Sequence, residues 1–164
     1  MTTDTTFRIR TARPEDTAAL DALFARAYPK LLKPDYPPSV LVTAVPLISR
    51  AQPHLIASGT FYVAEAVDGT LIGAGGWTPS RRPGWGDVRH VVTDDRWLRR
   101  GIARALMARS FQTALTSGIR DLDCKSTRTA VPFYQSLGFI PLGPIEVTLA
   151  QAVTFPAVHM QKRL

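Results

Sequence analysis

The stretch VVTDDRWLRRGIAR, Val91 to Arg104, limits the architecture of this chain more than any other. Two β-branched residues run into a charged turn, and beyond Gly101-Ile102-Ala103 an apolar period continues to Thr116. That length and spacing predict a helix, stopped by Gly118. Ala103, Met107, Phe111, Ala114 and Leu115 share one side of it and are expected to be its buried face. Residues 122–126 then alternate as a short strand. A strand, a helix and a strand in succession call for a crossover that lays the two strands parallel in one sheet.

The remaining pattern supplies antiparallel neighbours. Residues 60–67 alternate, Asp68-Gly69 makes a two-residue turn, and residues 71–77 return. Residues 7–11 read as a first strand and residues 87–93 as the strand before the crossover. Arg13-Pro14-Glu15-Asp16 opens a helix, with proline and acids at its positive end. Ala18, Ala19, Ala22, Leu23 and Ala27 are its expected apolar stripe. Residues 40–48 and 53–57 read as short helical pieces, the first interrupted by Pro46. Residues 130–137 read as a short helix closed by Gly138, and residues 145–149 and 155–161 as final strands. The class is mixed α and β, and 164 residues suit one domain spanning 1–164.

Hydrophobic residues make up 45% of the chain, enough for a core. No apolar run approaches the ~18 residues that cross a bilayer, and the polar start up to Arg10 has no leader-like apolar region. Cys124 is the one cysteine, so no internal disulfide forms, and no Cys/His spacing suits a metal. A cytoplasmic location and no membrane partner are expected. The net charge of +7 favours an anionic ligand, with arginines at 81–82, 96–104 and 120–128. There is no helix-turn-helix, RNA-recognition or zinc signature, so nucleic acid is not an expected partner.

The start of the long helix is where an anion would bind. Its first amides lack intrahelical partners and carry the positive end of the dipole. Small residues at Gly101 and Ala103 admit phosphates to those amides, and Arg99, Arg100 and Arg104 add charge. An ordinary strand-to-helix turn with solvated arginines is the alternative. Gly-Lys-Ser/Thr is absent, as is Gly-x-Gly-x-x-Gly with its acidic ribose ligand, which disfavours P-loop and Rossmann sites.

Leu98-Arg99-Arg100-Gly101-Ile102-Ala103 resembles the acetyl-CoA loop of the GNAT family of N-acetyltransferases, Gln/Arg-x-x-Gly-x-Gly/Ala, with Leu98 in place of the usual first residue. Ala130 to Phe139 resembles the family's late Ala-x-x-x-Tyr-x-x-x-Gly-Phe signature, with Thr127 where the family often has asparagine. The likeness extends over residues 7–142. It implies a mixed, mostly antiparallel sheet with a splayed parallel pair, flanked by helices. It also implies acetyl-CoA as cosubstrate, with no metal. Leu98, Arg99, Arg100, Gly101, Ile102, Ala103 and Arg104 would hold the pyrophosphate. The backbone of Val91, Val92 and Thr93 would hold the pantetheine arm, and Thr127 and Tyr134 would complete the cofactor site.

The implied reaction is direct attack of a primary amine on the thioester in a ternary complex. Tyr134 is the expected general acid, since a phenol stays protonated at neutral pH and can donate to the leaving thiolate. His90, Glu65 and Asp87 are the candidates for taking the amine's proton, with a water chain as the alternative to a dedicated base. Cys124 reads as a buried small hydrophobe rather than a nucleophile, and His54 and His159 are given no role. Residues 27–50 and the loop 78–86 are expected to grip the acceptor. Trp77, Trp85, Tyr28 and Tyr36 are available to line its pocket or cap the core. An acyl-CoA-binding module of the same fold without turnover is the competing reading. A homodimer through the final strands is left open.

Overall fold

The computed structural model describes residues 6–164; Met1 to Thr5, read above as part of a leaderless start, lie outside them. Seven strands form one sheet in the order β1-β2-β3-β4-β5-β7-β6. The strands are β1 (Phe7–Thr11), β2 (Phe61–Ala66), β3 (Leu71–Pro79), β4 (Trp85–Thr93), β5 (Asp121–Ser126), β6 (Ile140–Thr148) and β7 (Thr154–Arg163). All neighbours run antiparallel except β4 and β5. These two are joined by the crossover helix α5 (Ile102–Thr116), as the strand-helix-strand order requires.

The helices α1 (Thr17–Leu32), α2 (Pro38–Thr43), α3 (Val45–Ile48) and α4 (Pro53–Ile56) precede β2, and α6 (Val131–Ser136) follows β5. The break expected at Pro46 falls between α2 and α3. The two stripes expected on the long helices are only partly correct. α1 buries Leu20, Leu23, Phe24, Ala27, Tyr28 and Leu32, while Ala18, Ala19 and Ala22 face solvent. Larger side chains bury more apolar surface, so the helix turns them inward. α5 buries Ile102, Leu106, Met107, Ser110 and Ala114, and Leu115 remains 45% exposed.

Two apolar layers sandwich the sheet. Phe24, Ala27 and Tyr28 of α1 pack with Val92, Phe155 and Ala157 on one face. On the other face Met107 and Ala114 of α5 and Tyr134 of α6 pack with Trp77, Leu122, Cys124 and Met160. Trp77 belongs to this core, its indole N–H donating to Thr113 Oγ1 at 2.9 Å. Among the described residues no helix is long and apolar enough to cross a membrane.

The parallel seam is short. Trp85, Gly86 and Asp87 pair with Asp121, Leu122 and Asp123, and no pairing continues beyond them. From Val88 onward β4 stays on β3 while β5 stays on β7, so the sheet opens into a gap.

Candidate active site at the opening of the sheet

A cavity of about 800 Å³ occupies the gap and reaches both faces of the sheet. Its walls are Asp87 to Thr93 on β4 and Asp123 to Ser126 on β5. On the α5 face it is bounded by Leu98, Arg99, Gly101, Ala103, Arg104 and Tyr134. On the α1 face Tyr28, Leu31, Leu32, Leu47, Ile48 and Gln52 close it, together with Val147, Leu149 and Phe155.

The loop into α5 has the geometry an anion site needs. Asp94, 1% exposed, accepts from Arg96 N at 2.9 Å and is ion-paired to Arg26 of α1, which fixes the turn. Arg99 (φ 63°) and Gly101 (φ 76°) then adopt left-handed backbone and lead into the helix. A Cβ built at Gly101 would meet nothing within 4 Å, so the approach to the first amides is open. Arg99 and Arg104 line this end of the cavity, and Arg104 Nη2 lies 3.2 Å from Ser136 Oγ. Arg100 does not: its guanidinium stacks on the Trp97 ring at 4.6 Å, outside the lining. Leu98 and Ile102 border the cavity, and Thr127 reaches it while its Oγ1 accepts from Ala130 N at 3.2 Å. This set of open amides and guanidinium groups fits a diphosphate.

The β4 wall is irregular where it borders the gap. Arg89 opposes Gly76 and Val92 opposes Ala74, so one residue of β3 faces both His90 and Val91. This is a β-bulge, and it rests on His90 at φ 42°. Alternation would send His90 to the α5 face. The left-handed turn sends it to the α1 face instead, where its ring stacks on Phe24 at a centroid distance of 5.5 Å. His90 Nδ1 lies 3.2 Å from Tyr28 Oη and Nε2 lies 3.1 Å from Gln52 Nε2. Burial, helped by the nearby Arg89 and His54, lowers its pKa to about 4. With both nitrogens engaged and the ring held neutral, His90 is poorly placed to take a proton from an ammonium group.

The other expected bases separate clearly. Glu65 lies outside the cavity lining, held by Arg8 at 2.8 Å and Arg10 at 2.9 Å, and these guanidinium groups pull its pKa down. Asp87 lines the cavity at the inner end of the gap, opposite Asp123 across the seam. Asp87 lies 3.7 Å from Arg89, and Asp123 accepts from Gln161 at 2.9 Å and pairs with His159 Nε2 at 2.7 Å. Both carboxylates point to the α1 face, because Val88, Leu122 and Cys124 point to the α5 face.

Tyr134 is buried against Phe133 and Phe139, with ring centroids 5.3 and 5.2 Å away. It shares a hydrogen bond with Cys124, and burial raises its pKa well above the ordinary phenol value. The thiol of Cys124 is itself raised to about 12 by burial, so it is not a ready thiolate nucleophile.

The α1 side of the cavity, where an acceptor is expected, is lined differently from expectation in one respect. Residues 27–50 contribute to the lining, but the loop 78–86 does not; the β6–β7 turn stands there instead. Trp85 is stacked under Arg82 at 4.1 Å and Tyr36 on Phe155 at 4.8 Å, which leaves Tyr28 as the cavity aromatic of the four expected. Sequence reasoning missed Asp123, Gln52 and His159. Asp123 sits at an alternating strand position that reads as solvated, and its partners come from a register no local pattern reveals.

A mixed sheet opened at one parallel seam, with a helix start at one end of the opening and a buried tyrosine beside it, is the architecture of an acyl-CoA N-acyltransferase. Residues 34–164 match the family model described as an acetyltransferase (GNAT) domain, and the chain belongs to that family. Among solved structures it is similar to a GCN5-related N-acetyltransferase from Rhodopseudomonas palustris, with a TM-score of 0.80 and 18% identity over 100% of this chain and 99% of the other. It is also similar to the PaiA N-acetyltransferase from Thermoplasma acidophilum in complex with coenzyme A, with a TM-score of 0.72 and 15% identity over 98% and 100%. The ribosomal-protein-S18-alanine N-acetyltransferase of Escherichia coli has a TM-score of 0.66 at 15% identity over 96% and 93%. A comparison with curated protein sequences found no match.

Proposed function

We propose that the protein transfers an acetyl group from acetyl-CoA to a primary amine by direct attack in a ternary complex at the gap between β4 and β5. The observation that carries this reading is a single cavity joining the open start of α5 on one face to the acidic, apolar-walled pocket on the other. When bound, the cosubstrate supplies an acyl group activated as a thioester. Arg99, Arg104 and the first amides of α5 hold its diphosphate end, where charge and open backbone coincide. Leu98, Gly101, Ile102 and Ala103 shape that end, and Thr127 flanks it. The edge of Val91, Val92 and Thr93 that faces the gap has no strand partner on that side, so its backbone groups are available to the arm of the ligand and to the thioester oxygen.

Tyr134 keeps its proton at Oη and donates it to the departing sulfur. Its raised pKa ensures the protonated form at neutral pH. Asp87 receives the amine's proton, directly or through one water, because it is the candidate base that the cavity contains with an open carboxylate. His90 positions the β4 bulge, and Glu65 has no part in the reaction.

Incubating pure protein with acetyl-CoA and a panel of primary amines while following thiol release tests this reading. Release that depends on the added amine supports it. Tight cofactor binding with no release would favour the non-catalytic acyl-CoA-binding module.

A further inference from the structure

The acceptor half of the cavity has a chemistry that selects among amines. Leu31 and Leu32 of α1, Leu47 and Ile48 of α3, and Val147 and Leu149 at the β6–β7 turn form its wall. Five of these, Leu31, Leu47, Ile48, Val147 and Leu149, are only partly covered by the rest of the chain. They leave an apolar surface turned toward the same space from two unconnected parts of the sequence. The carboxylates of this half gather at the other end, where the sheet closes, while Lys125 of β5 borders the cavity further out. There Asp87 and Asp123 stand opposite each other at the last paired position of the seam. His159 and Gln161 fix Asp123 from β7, at 2.7 and 2.9 Å. Arg89 lies beside Asp87 at 3.7 Å but also donates from Nε to Thr78 at 2.9 Å, so its guanidinium is only partly committed to the carboxylate.

We infer that the acceptor is a primary monoamine carried on an unbranched aliphatic or arylalkyl body. Its ammonium group sits at Asp87 and Asp123, and its body lies along the leucine, isoleucine and valine wall. The inference rests on the transferase reading of the same cavity and narrows it. Charge complementarity places the ammonium end, because two carboxylates there favour a cation. The same carboxylates disfavour an α-amino acid, whose own carboxylate would stand next to them; Arg89, held by Thr78 and beside Asp87, offsets this only in part. The wall disfavours a diamine or polyamine, because its second ammonium would lie among apolar side chains without a partner. An apolar body of growing length covers wall that is otherwise left to water.

The test is kcat/KM for thiol release with acetyl-CoA and n-alkylamines from propylamine to heptylamine, with phenethylamine, 1,6-diaminohexane and norleucine as comparisons. The expected result is a rise of about threefold to fourfold per added methylene until the wall is covered. Diaminohexane should fall about 10²-fold or more below hexylamine, and norleucine at least about tenfold below it. A Leu47→Asp variant supplies a partner for a second cation. It should raise the diaminohexane-to-hexylamine ratio at least about tenfold. A ratio does not depend on how much of the variant folds. A flat chain-length series, or a preference for diaminohexane or norleucine in the native protein, overturns the acceptor class and leaves the transferase reading intact. Release with another primary amine but with none of this panel overturns the acceptor class alone, and no release with any primary amine, despite measurable acetyl-CoA binding, overturns both.

Discussion

Replacing His90 separates a base from a support. The wild-type residue holds left-handed backbone at φ 42° while its ring is stacked on Phe24 and engaged by Tyr28 and Gln52. His90→Ala loses the stack, about 0.5–1.5 kcal/mol, and two hydrogen bonds of about 0.5–1.5 kcal/mol each. It also keeps the left-handed strain. His90→Gly loses the same contacts but regains about 1–2 kcal/mol of strain, less about 0.5–1 kcal/mol for its freer unfolded chain. Glycine should therefore melt above alanine by about 1–4 °C in a protein of this size. Asparagine, which tolerates this backbone and keeps a polar side chain, should do at least as well as glycine. Valine, which is β-branched, should do worst. Turnover should follow the same order, because the bulge aims the β4 main chain into the gap.

The pH dependence follows from the same residue. Its folded pKa of about 4 lies below the ordinary 6.5, so the unfolded chain binds more protons between those values. Stability contributed by keeping this ring neutral is complete above about pH 6.5 and is lost as pH falls toward 4. Thermal melts at pH 7 and pH 5 should show this loss in the native protein and a much smaller one in His90→Asn. Alanine melting at or above glycine would refute the support role. So would asparagine and glycine variants that turn over no faster than alanine, as expected if the imidazole were the base.

Tyr134→Phe should lower turnover about 10²-fold or more with acetyl-CoA affinity nearly unchanged, read by steady-state kinetics beside calorimetry. Gly101→Glu should abolish acetyl-CoA binding in the same calorimetric titration, because it sets a carboxylate where the diphosphate would lie. Asp87→Asn should lower kcat about 10²-fold at neutral pH and recover part of the loss at higher pH, where more of the amine is already deprotonated. Equal pH–rate profiles for native and variant enzyme would remove Asp87 as the proton acceptor.

The crossover and the seam were legible because apolar periodicity and chain order constrain them together. Gly101 and Ala103 stood out because small residues at a helix start give up packing surface, which suits a place where a ligand comes close to the backbone. The bulge did not stand out: Arg89-His90-Val91 contains no glycine, and nothing local shows that a histidine will be held in left-handed backbone by Tyr28 and Gln52. The stripe of α1 was misplaced because alanines occur on both sides of the helix, so their period carries no direction; Leu20 and Phe24 decided it by size. The apolar wall of the cavity was half missed because Val147 and Leu149 reach it through the β6–β7 pairing, which depends on long-range register.

The gap in the sheet is walled largely by main chain, and main chain is what point mutation changes least. Side chains along β4 can be exchanged without deleting the amides and carbonyls that line the opening, provided the local twist at residue 90 survives. Such a groove can persist through extensive sequence divergence while the helices and the turn over its far mouth are remodelled. In the proposed reaction the grip on one reactant is a property of topology, and the choice of the other is left to a small set of replaceable side chains.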